Sequence, residues 1–251
     1  MKYAFISDIH GNTEALSVVM QDIRRRNVSK IYCLGDVIGY GPEPRECLEV
    51  VIETCELCLL GNHEHGAMFY ASDFNPKARA AIEWTKEQLN DSAYSRDENF
   101  RLWNYISEMA ETHRVNDIYL VHGSPRDPVR EYLLPGDVHD EKKMQGCYEK
   151  MGDSRICFVG HSHVPGVYEE GAPFQGPGDL DGSFRLGDRK VLVNIGSVGQ
   201  PRDGDPRASY VTFDGETVRF HRLAYEVDKT ISKVRSTELP GYLADRLAVG
   251  R

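Results

Sequence analysis

Apolar and polar positions follow two rhythms along the first part of this chain. The runs Lys2–Ser7, Lys30–Leu34 and Glu56–Leu60 are short and mostly apolar. Runs of that length without a polar face predict strands buried on both sides. Between them Leu16, Val19, Met20 and Ile23 recur at i, i+3, i+4 and i+7, which predicts a helix from about Asn12 with one apolar face. Pro42 and Pro44 open a second helix with Leu48, Val51 and Ile52 on one side, since proline's fixed φ suits a first helical turn. Strand, loop and helix in alternation predict a parallel sheet whose crossovers lie outside it.

The middle of the chain reads differently. Asn75 as N-cap and Pro76 after it predict a helix through Leu89, with Ala78, Ala81, Ile82, Thr85 and Leu89 on one face. A second amphipathic helix carries Phe100, Trp103, Ile106 and Met109, and Arg114–Ile118 reads as a tight turn leading into the apolar run Ile118–Val121. Beyond Arg155 the pattern is mainly strands: Ile156–Val159, Val191–Ile195, Ser209–Phe213 and Val218–Leu223, the last two joined by an Asp214-Gly215 hairpin signal. Gly171 to Gly182, rich in Gly and Pro, reads as a long mobile loop. Short helices over Val227–Arg235 and Tyr242–Leu247 are expected to close the fold against one face. The prediction is one α/β domain over 1–251, with a helical insert at about 66–110 and a helical tail at about 226–251.

Composition narrows the function. Of 251 residues, 39 are acidic and 30 are Lys or Arg, a formal charge of -9. That balance argues against general nucleic-acid binding, which needs a basic stripe to displace counterions. Arg24-Arg25-Arg26, the one cationic cluster, falls at a helix end where it complements the dipole. Asp8 breaks the opening apolar run too early for a signal peptide, and no apolar stretch nears the ~20 residues of a membrane span. A cytoplasmic location is expected. Cys55 and Cys58 have the spacing of half a zinc ribbon, but no second pair follows. On one strand, residues three apart face opposite sides, so all six cysteines read as small buried hydrophobes in a reducing compartment.

The expected strands share a feature at their ends. The first is followed by Asp8 and His10, the second by Asp36, the third by Asn62 and His63, and later ones by His122 and by His161 and His163. Ligands collect at the carboxyl ends of parallel strands, and five of the nine histidines fall there. Two divalent ions ~3.5–4 Å apart can clamp an in-line displacement at phosphorus and acidify a bridging water. Such a pair needs a shared carboxylate, for which Asp36 is the natural candidate. Imidazole with carboxylate suits Mn, Fe, Zn, Co or Ni rather than Ca, and Mn is favoured here. Two such ions outweigh two carboxylates and a hydroxide, leaving local positive charge for a phosphate despite the acidic chain. No Ser or Cys has the neighbours that would activate it as a nucleophile.

The blocks Asp8-Ile9-His10-Gly11, Gly35-Asp36, Gly61-Asn62-His63-Glu64, His122-Gly123 and Gly160-His161-Ser162-His163 resemble, in order and spacing, those of the calcineurin-like dinuclear metallophosphoesterases. The resemblance implies a four-layer α/β/β/α sandwich of two mixed β-sheets flanked by helices. It implies one ion on Asp8, His10, Asp36 and His163, and a second on Asp36, Asn62, His122 and His161. It also implies that His63 contacts the scissile phosphate and protonates the leaving group, with Glu64 orienting it. Gly39-Tyr40-Gly41-Pro42 stands where the superfamily's protein phosphatases carry Asp-Arg-Gly, so the chain looks more like the small bacterial and archaeal phosphodiesterase branch. Some relatives there act on dinucleoside polyphosphates or other nucleotides, which implies a small phosphorylated, nucleotide-like substrate. The alternatives are a phosphomonoesterase or phosphoprotein phosphatase, or an idle scaffold. Arg126 and Arg202, each in a loop after an apolar strand, either reach a distal phosphate or pair at the surface with Asp127 and Asp203. The helical insert should overhang the centre. Its Tyr70, Phe74 and Trp84 either stack on a base or, at helical spacing, belong to the core.

Overall fold

A computed structural model describes residues 1–71 and 74–251. In chain order, β1 (Tyr3–Ile6), α1 (Thr13–Arg25), β2 (Lys30–Cys33), α2 (Pro44–Thr54) and β3 (Leu57–Cys58) form the alternating opening. Helices α3 (Asn62–Met68), α4 (Pro76–Leu89) and α5 (Arg96–Ser107) precede β4 (Thr112–Val115) and β5 (Ile118–Val121). Then come α6 (Glu141–Lys150), β6 (Ile156–Val159), β7 (Gly166–Glu169), β8 (Ser183–Arg185), β9 (Val191–Asn194), β10 (Ala208–Phe213) and β11 (Thr217–Leu223). Helices α7 (Val227–Arg235) and α8 (Tyr242–Leu247) end the order.

The strands form two mixed sheets, ordered β3-β2-β1-β10-β11-β8 and β4-β5-β6-β9-β7. Strands β1, β2 and β3 run parallel in the first, and β5, β6 and β9 in the second. The alternation of side chains explains why these strands read as continuous apolar runs. Tyr3 and Phe5 pack between the sheets with Ile118, Leu120, Ile156, Phe158, Val191 and Val193. Ala4 and Ile6 point the other way, under α1 and α2 with Leu16, Val19 and Leu48. On the far side Tyr119, Val121, Cys157 and Leu192 meet Met144 and Cys147 of α6. Phe5 and Phe158 join the sheets directly, their rings 3.9 Å apart and near parallel. These are two mixed sheets between helical layers, the expected sandwich.

Local signals fixed the helices well. Asn12 accepts from the Ala15 amide and Asn75 from those of Lys77 and Ala78, so each caps the helix it precedes. All five residues expected on the inner face of α4 are buried. In α5 the expected face is rotated: Leu102 and Ile106 are buried, while Phe100 is 47% exposed beneath the Arg96 guanidinium. The third strand is shorter than expected, so Cys55 lies at the C-cap of α2 and the opposite-face argument does not apply to it. The six cysteines are nonetheless unpaired thiols. Helix α6 and strands β7 and β8 had no clear sequence signal. The Gly/Pro-rich loop between those strands is tied back by Val167 and Gln175, which exchange both main-chain hydrogen bonds. The tail packs on α4 and Tyr40 through Ile231, Val234, Leu243 and Leu247. Lys233 on α7 also bonds Glu14 at 2.5 Å and Glu43 at 2.6 Å. Among the described residues, no helix is long and apolar enough to cross a membrane.

Candidate metal centre

Every predicted ligand leaves the carboxyl end of a parallel strand: Asp8 and His10 after β1, Asp36 after β2, Asn62 after β3, His122 after β5, His161 and His163 after β6. Both sheets therefore turn the same end toward one point. The chain must reverse sharply there, and Asp8, His10, Asp36, His161 and His163 all hold φ between 48° and 63°. That region is costly for residues with a Cβ, of order 1 kcal/mol or more each. Five such residues together cost about as much as the lower bound of a domain's net stability, so neighbouring contacts must impose the conformation. Close backbone approach is part of it. A Cβ on Gly61 would collide with Asp36 Oδ1, and one on Gly160 with Ser7 Oγ and Asp8 Oδ2.

The ligating atoms form adjoining groups: Asp8, His10 and His163 lie together, Asp36, His122 and His161 lie together, and His10 with Asp36 links the two. His122 Nε2 is 3.4 Å from Asp36 Oδ2, 3.1 Å from Asn62 Oδ1 and 3.2 Å from His161 Nδ1. On the other side His163 Nε2 is 3.0 Å from Asp8 Oδ1 and 3.2 Å from His10 Nε2, which is 3.8 Å from Asp36 Oδ2. The opposite nitrogen of each ring donates to a main-chain oxygen. His10 Nδ1 bonds Ile38 O at 3.0 Å, His122 Nδ1 bonds Leu34 O at 2.9 Å, His161 Nε2 bonds Arg130 O at 3.1 Å and His163 Nδ1 bonds Gln200 O at 2.5 Å. A carbonyl can only accept, so those nitrogens carry the protons. A ring whose only proton is that one turns a lone pair inward, the arrangement that orients a metal-bound histidine.

Without a cation these lone pairs would oppose one another and the carboxylates. Asp8 Oδ1, buried, has no hydrogen-bond partner, while its Oδ2 accepts from the His161 amide at 3.0 Å. Burial pushes His161 down to about 3 and holds His10 and His163 below the usual imidazole range. For His122 burial is outweighed by the Asp36 and Asp8 charges, which raise it to about 9. Burial would raise Asp36, but His122 and His63 hold it well below the carboxylate range. Orphaned oxygen, inward nitrogens and a central anion all fit divalent ions of the nitrogen- and oxygen-preferring kind.

His63 lies in the same cluster, grouped with His10 and Asp36. Its amide donates to Asp36 Oδ1 at 2.9 Å, while its ring Nδ1 has no partner. Packing orients that ring, with Tyr40 at 4.4 Å, His10 at 4.8 Å and Phe74 at 5.3 Å between centroids. Glu64 does not orient it. The Glu64 carboxylate accepts instead from the amides of Asp36 and Val37 at 2.8 Å and of Ile38 and Gly61 at 3.1 Å. It thus clamps the Asp36 loop to the start of α3. Burial pushes its carboxyl up to about 7, against four amides that favour the anion.

The two arginines separate. Arg126 pairs with Glu131 at 3.5 Å and lies against Gly146 of α6, beside neither ion cluster. Arg202 sits at the rim: its amide bonds His163 O at 3.3 Å, and its guanidinium lies 5.8 Å from the Tyr40 ring. Asp203 pairs with Arg222 instead. Phe74 and Tyr70 line a cleft above the centre, together with Tyr40, Arg130, Tyr132 and His65. Trp84 is absorbed in the packing of α4 against the tail. Arg130 and Tyr132 carried no sequence signal, because their loop has neither periodicity nor motif.

A family model described as the calcineurin-like phosphoesterase superfamily domain matches residues 1–217. An uncharacterised protein of Methanocaldococcus jannaschii is 37% identical over 258 residues, covering 99% of this chain and 98% of that one. The crystal structure of a metallophosphoesterase from Sphaerobacter thermophilus superposes with a TM-score of 0.82 at 35% identity, covering 100% of this chain and 99% of the other. A hypothetical protein of Pyrococcus horikoshii shares the fold, with a TM-score of 0.75 at 18% identity over 100% and 98% of the two chains. The chain belongs to the calcineurin-like phosphoesterase superfamily, a family dependent on a dinuclear metal centre, and is a hydrolase of phosphoesters with candidate metal ligands gathered at one site.

Proposed function

We propose that the protein hydrolyses a small, nucleotide-like phosphodiester or phosphoanhydride by direct attack of water, with two divalent transition-metal ions bound. The observation that carries this is the pair of adjoining ligand groups, Asp8 with His10 and His163 and Asp36 with His122 and His161, linked where His10 faces Asp36, under a cleft walled by helices and loops. Asp8, His10, Asp36 and His163 would hold one ion, and Asp36, Asn62, His122 and His161 the other. Bound there, the ions supply Lewis acidity to the phosphoryl oxygens and make a water acidic near neutral pH. Manganese is the favoured metal among Mn, Fe, Zn, Co and Ni.

The chain's own residues do the rest. The carbonyl-anchored histidines fix the ligand directions before substrate arrives, so little reorganisation is needed at the moment of reaction. His63 gives a proton to the leaving oxygen. Burial, with Arg202 adding to it, holds its imidazole at about 4. An incoming phosphate brings the opposite charge and favours the protonated ring. Arg202 at the rim holds a phosphate oxygen beyond the scissile one. The small volume of the cleft above the centre, about 180 Å³, supports a small substrate over a folded phosphoprotein or a nucleic-acid polymer.

The test is a panel of nucleotides, dinucleotides, phosphomonoesters and phosphopeptides on protein loaded with Mn, with metal counted by elemental analysis. Two ions per chain and the highest kcat/KM on nucleotide-like diesters or anhydrides are expected. One ion with full activity, or a preference for phosphopeptides, removes the reading. Inversion at phosphorus with a chiral phosphorothioate is expected of direct attack, and a trapped phosphoprotein would exclude it.

A further inference from the structure

The cleft above the centre differs from the surface around it. Tyr40, Tyr70, Phe74 and Tyr132 line it with Arg130, and Asn62 and His161 form its floor. Among the described residues no Asp or Glu lines it, in a chain that carries 39 of them. The Tyr132 ring lies flat on His161, centroids 3.8 Å apart and 24° from parallel, yet remains 44% exposed. Phe74 meets His63 edge-on at 75°. Aromatic rings therefore abut both the second ligand cluster and the expected proton donor. The loop bearing Arg130 and Tyr132 is fixed to the floor by the bond from His161 Nε2 to Arg130 O, 3.1 Å. Arg130 Nη2 lies 3.3 Å from His65 Nε2 at the cleft's side.

We propose that this cleft is a subsite for one planar aromatic group of the substrate, a nucleobase or an aryl ring, with Tyr132 as the stacking platform. The absence of acid among the described lining residues and the presence of Arg130 suit a group attached to phosphate. Size sets the limit. The cleft encloses about 180 Å³, below the ~300–1,000 Å³ that holds a drug-sized ligand. That volume suits one ring system of the substrate. This rests on the two-metal reading above and adds which part of the substrate is recognised, and by which residues.

Calorimetric titration of the Mn-loaded full chain with AMP, phenyl phosphate and ribose 5-phosphate tests it. All three offer the same phosphate, and only the first two offer a ring. AMP is expected to bind about tenfold more tightly than ribose 5-phosphate, as one base–aromatic stack allows. Phenyl phosphate equal to AMP identifies a general aryl site, and phenyl phosphate between the two identifies a nucleobase site. Tyr132→Leu should narrow the AMP to ribose 5-phosphate ratio toward one, while Tyr132→Phe should preserve it. Elemental analysis of both variants checks that His161 is undisturbed. Equal binding of all three ligands, or a ratio unmoved by Tyr132→Leu at full metal content, overturns the subsite and leaves the two-metal reading standing. Failure of ribose 5-phosphate to bind in a metal-dependent way counts against the centre itself.

Discussion

At the floor of the cleft, Asp8, His10, Asp36, His122, His161 and His163 are all buried, and five of them sit at positive φ. In the walls, Arg130, Tyr70 and Tyr132 are exposed, with no positive φ, whereas Tyr40 is buried with φ 63°. The floor comes from the ends of strands whose direction the two sheets fix. The walls come from the segments around α3 and α4, from the tail behind them, and from one loop after β5. The floor is held through the main chain, by carbonyls on each ring and by four amides on Glu64. The walls are held by side-chain packing such as Tyr40 and Ala78 against Ile231 and Leu243. A main-chain scaffold tolerates little change and suits chemistry that needs fixed directions. A side-chain wall can change shape while the floor keeps its geometry, which is the division expected where one reaction serves different substrates.

That contrast is open to experiment, starting with the floor's centre. Asp36→Asn should reduce both metal sites together and lower turnover by ~10³-fold or more, beyond the ~10–100-fold typical of losing an outer partner. Elemental analysis with kinetics checks it, and loss of one ion alone would mean the clusters do not share Asp36. His63→Ala should retain metal while turnover falls ~10²–10⁴-fold, the usual worth of a positioned acid. Metal lost in parallel would move His63 into the ligand set. Glu64→Gln should weaken metal affinity by ~10–100-fold through the slackened Asp36 loop, measured by competition with a chelator. A change confined to kcat at saturating metal would instead favour a direct part for Glu64 in the chemistry.

The wall predictions are smaller. Arg202→Ala should raise KM by about tenfold with kcat nearly unchanged, the loss of one charge-assisted bond to a group not reacting. Arg126→Ala, remote from the clusters, should leave both constants within about twofold. If Arg126 moved KM as much as Arg202, Arg126 would belong to the wall rather than to the outer surface.

Much of this was written in local pattern. Continuous apolar runs made β1, β5 and β6 legible because both their faces pack against apolar layers. Capping by Asn12 and Asn75 placed two helix starts, since a cap depends on its nearest neighbours alone. Ligand types at strand ends were legible because a parallel sheet fixes where its carboxyl ends gather. Other features depended on residues far apart in the chain. That Glu64 clamps the Asp36 loop and leaves His63 to packing required the approach of 36–38 to 61–64. That Arg126 faces α6, while Arg130 and Tyr132 enter the cleft, is set by how one irregular loop docks, and no periodicity encodes that. The sequence by itself determined the element order and the chemistry of the centre, because both follow from short-range spacing and strand direction. Only the tertiary structure decided which side chains meet above that centre, because those contacts join α3, α4, the tail and the β5 loop across long separations, where each position is fixed by packing rather than by its neighbours.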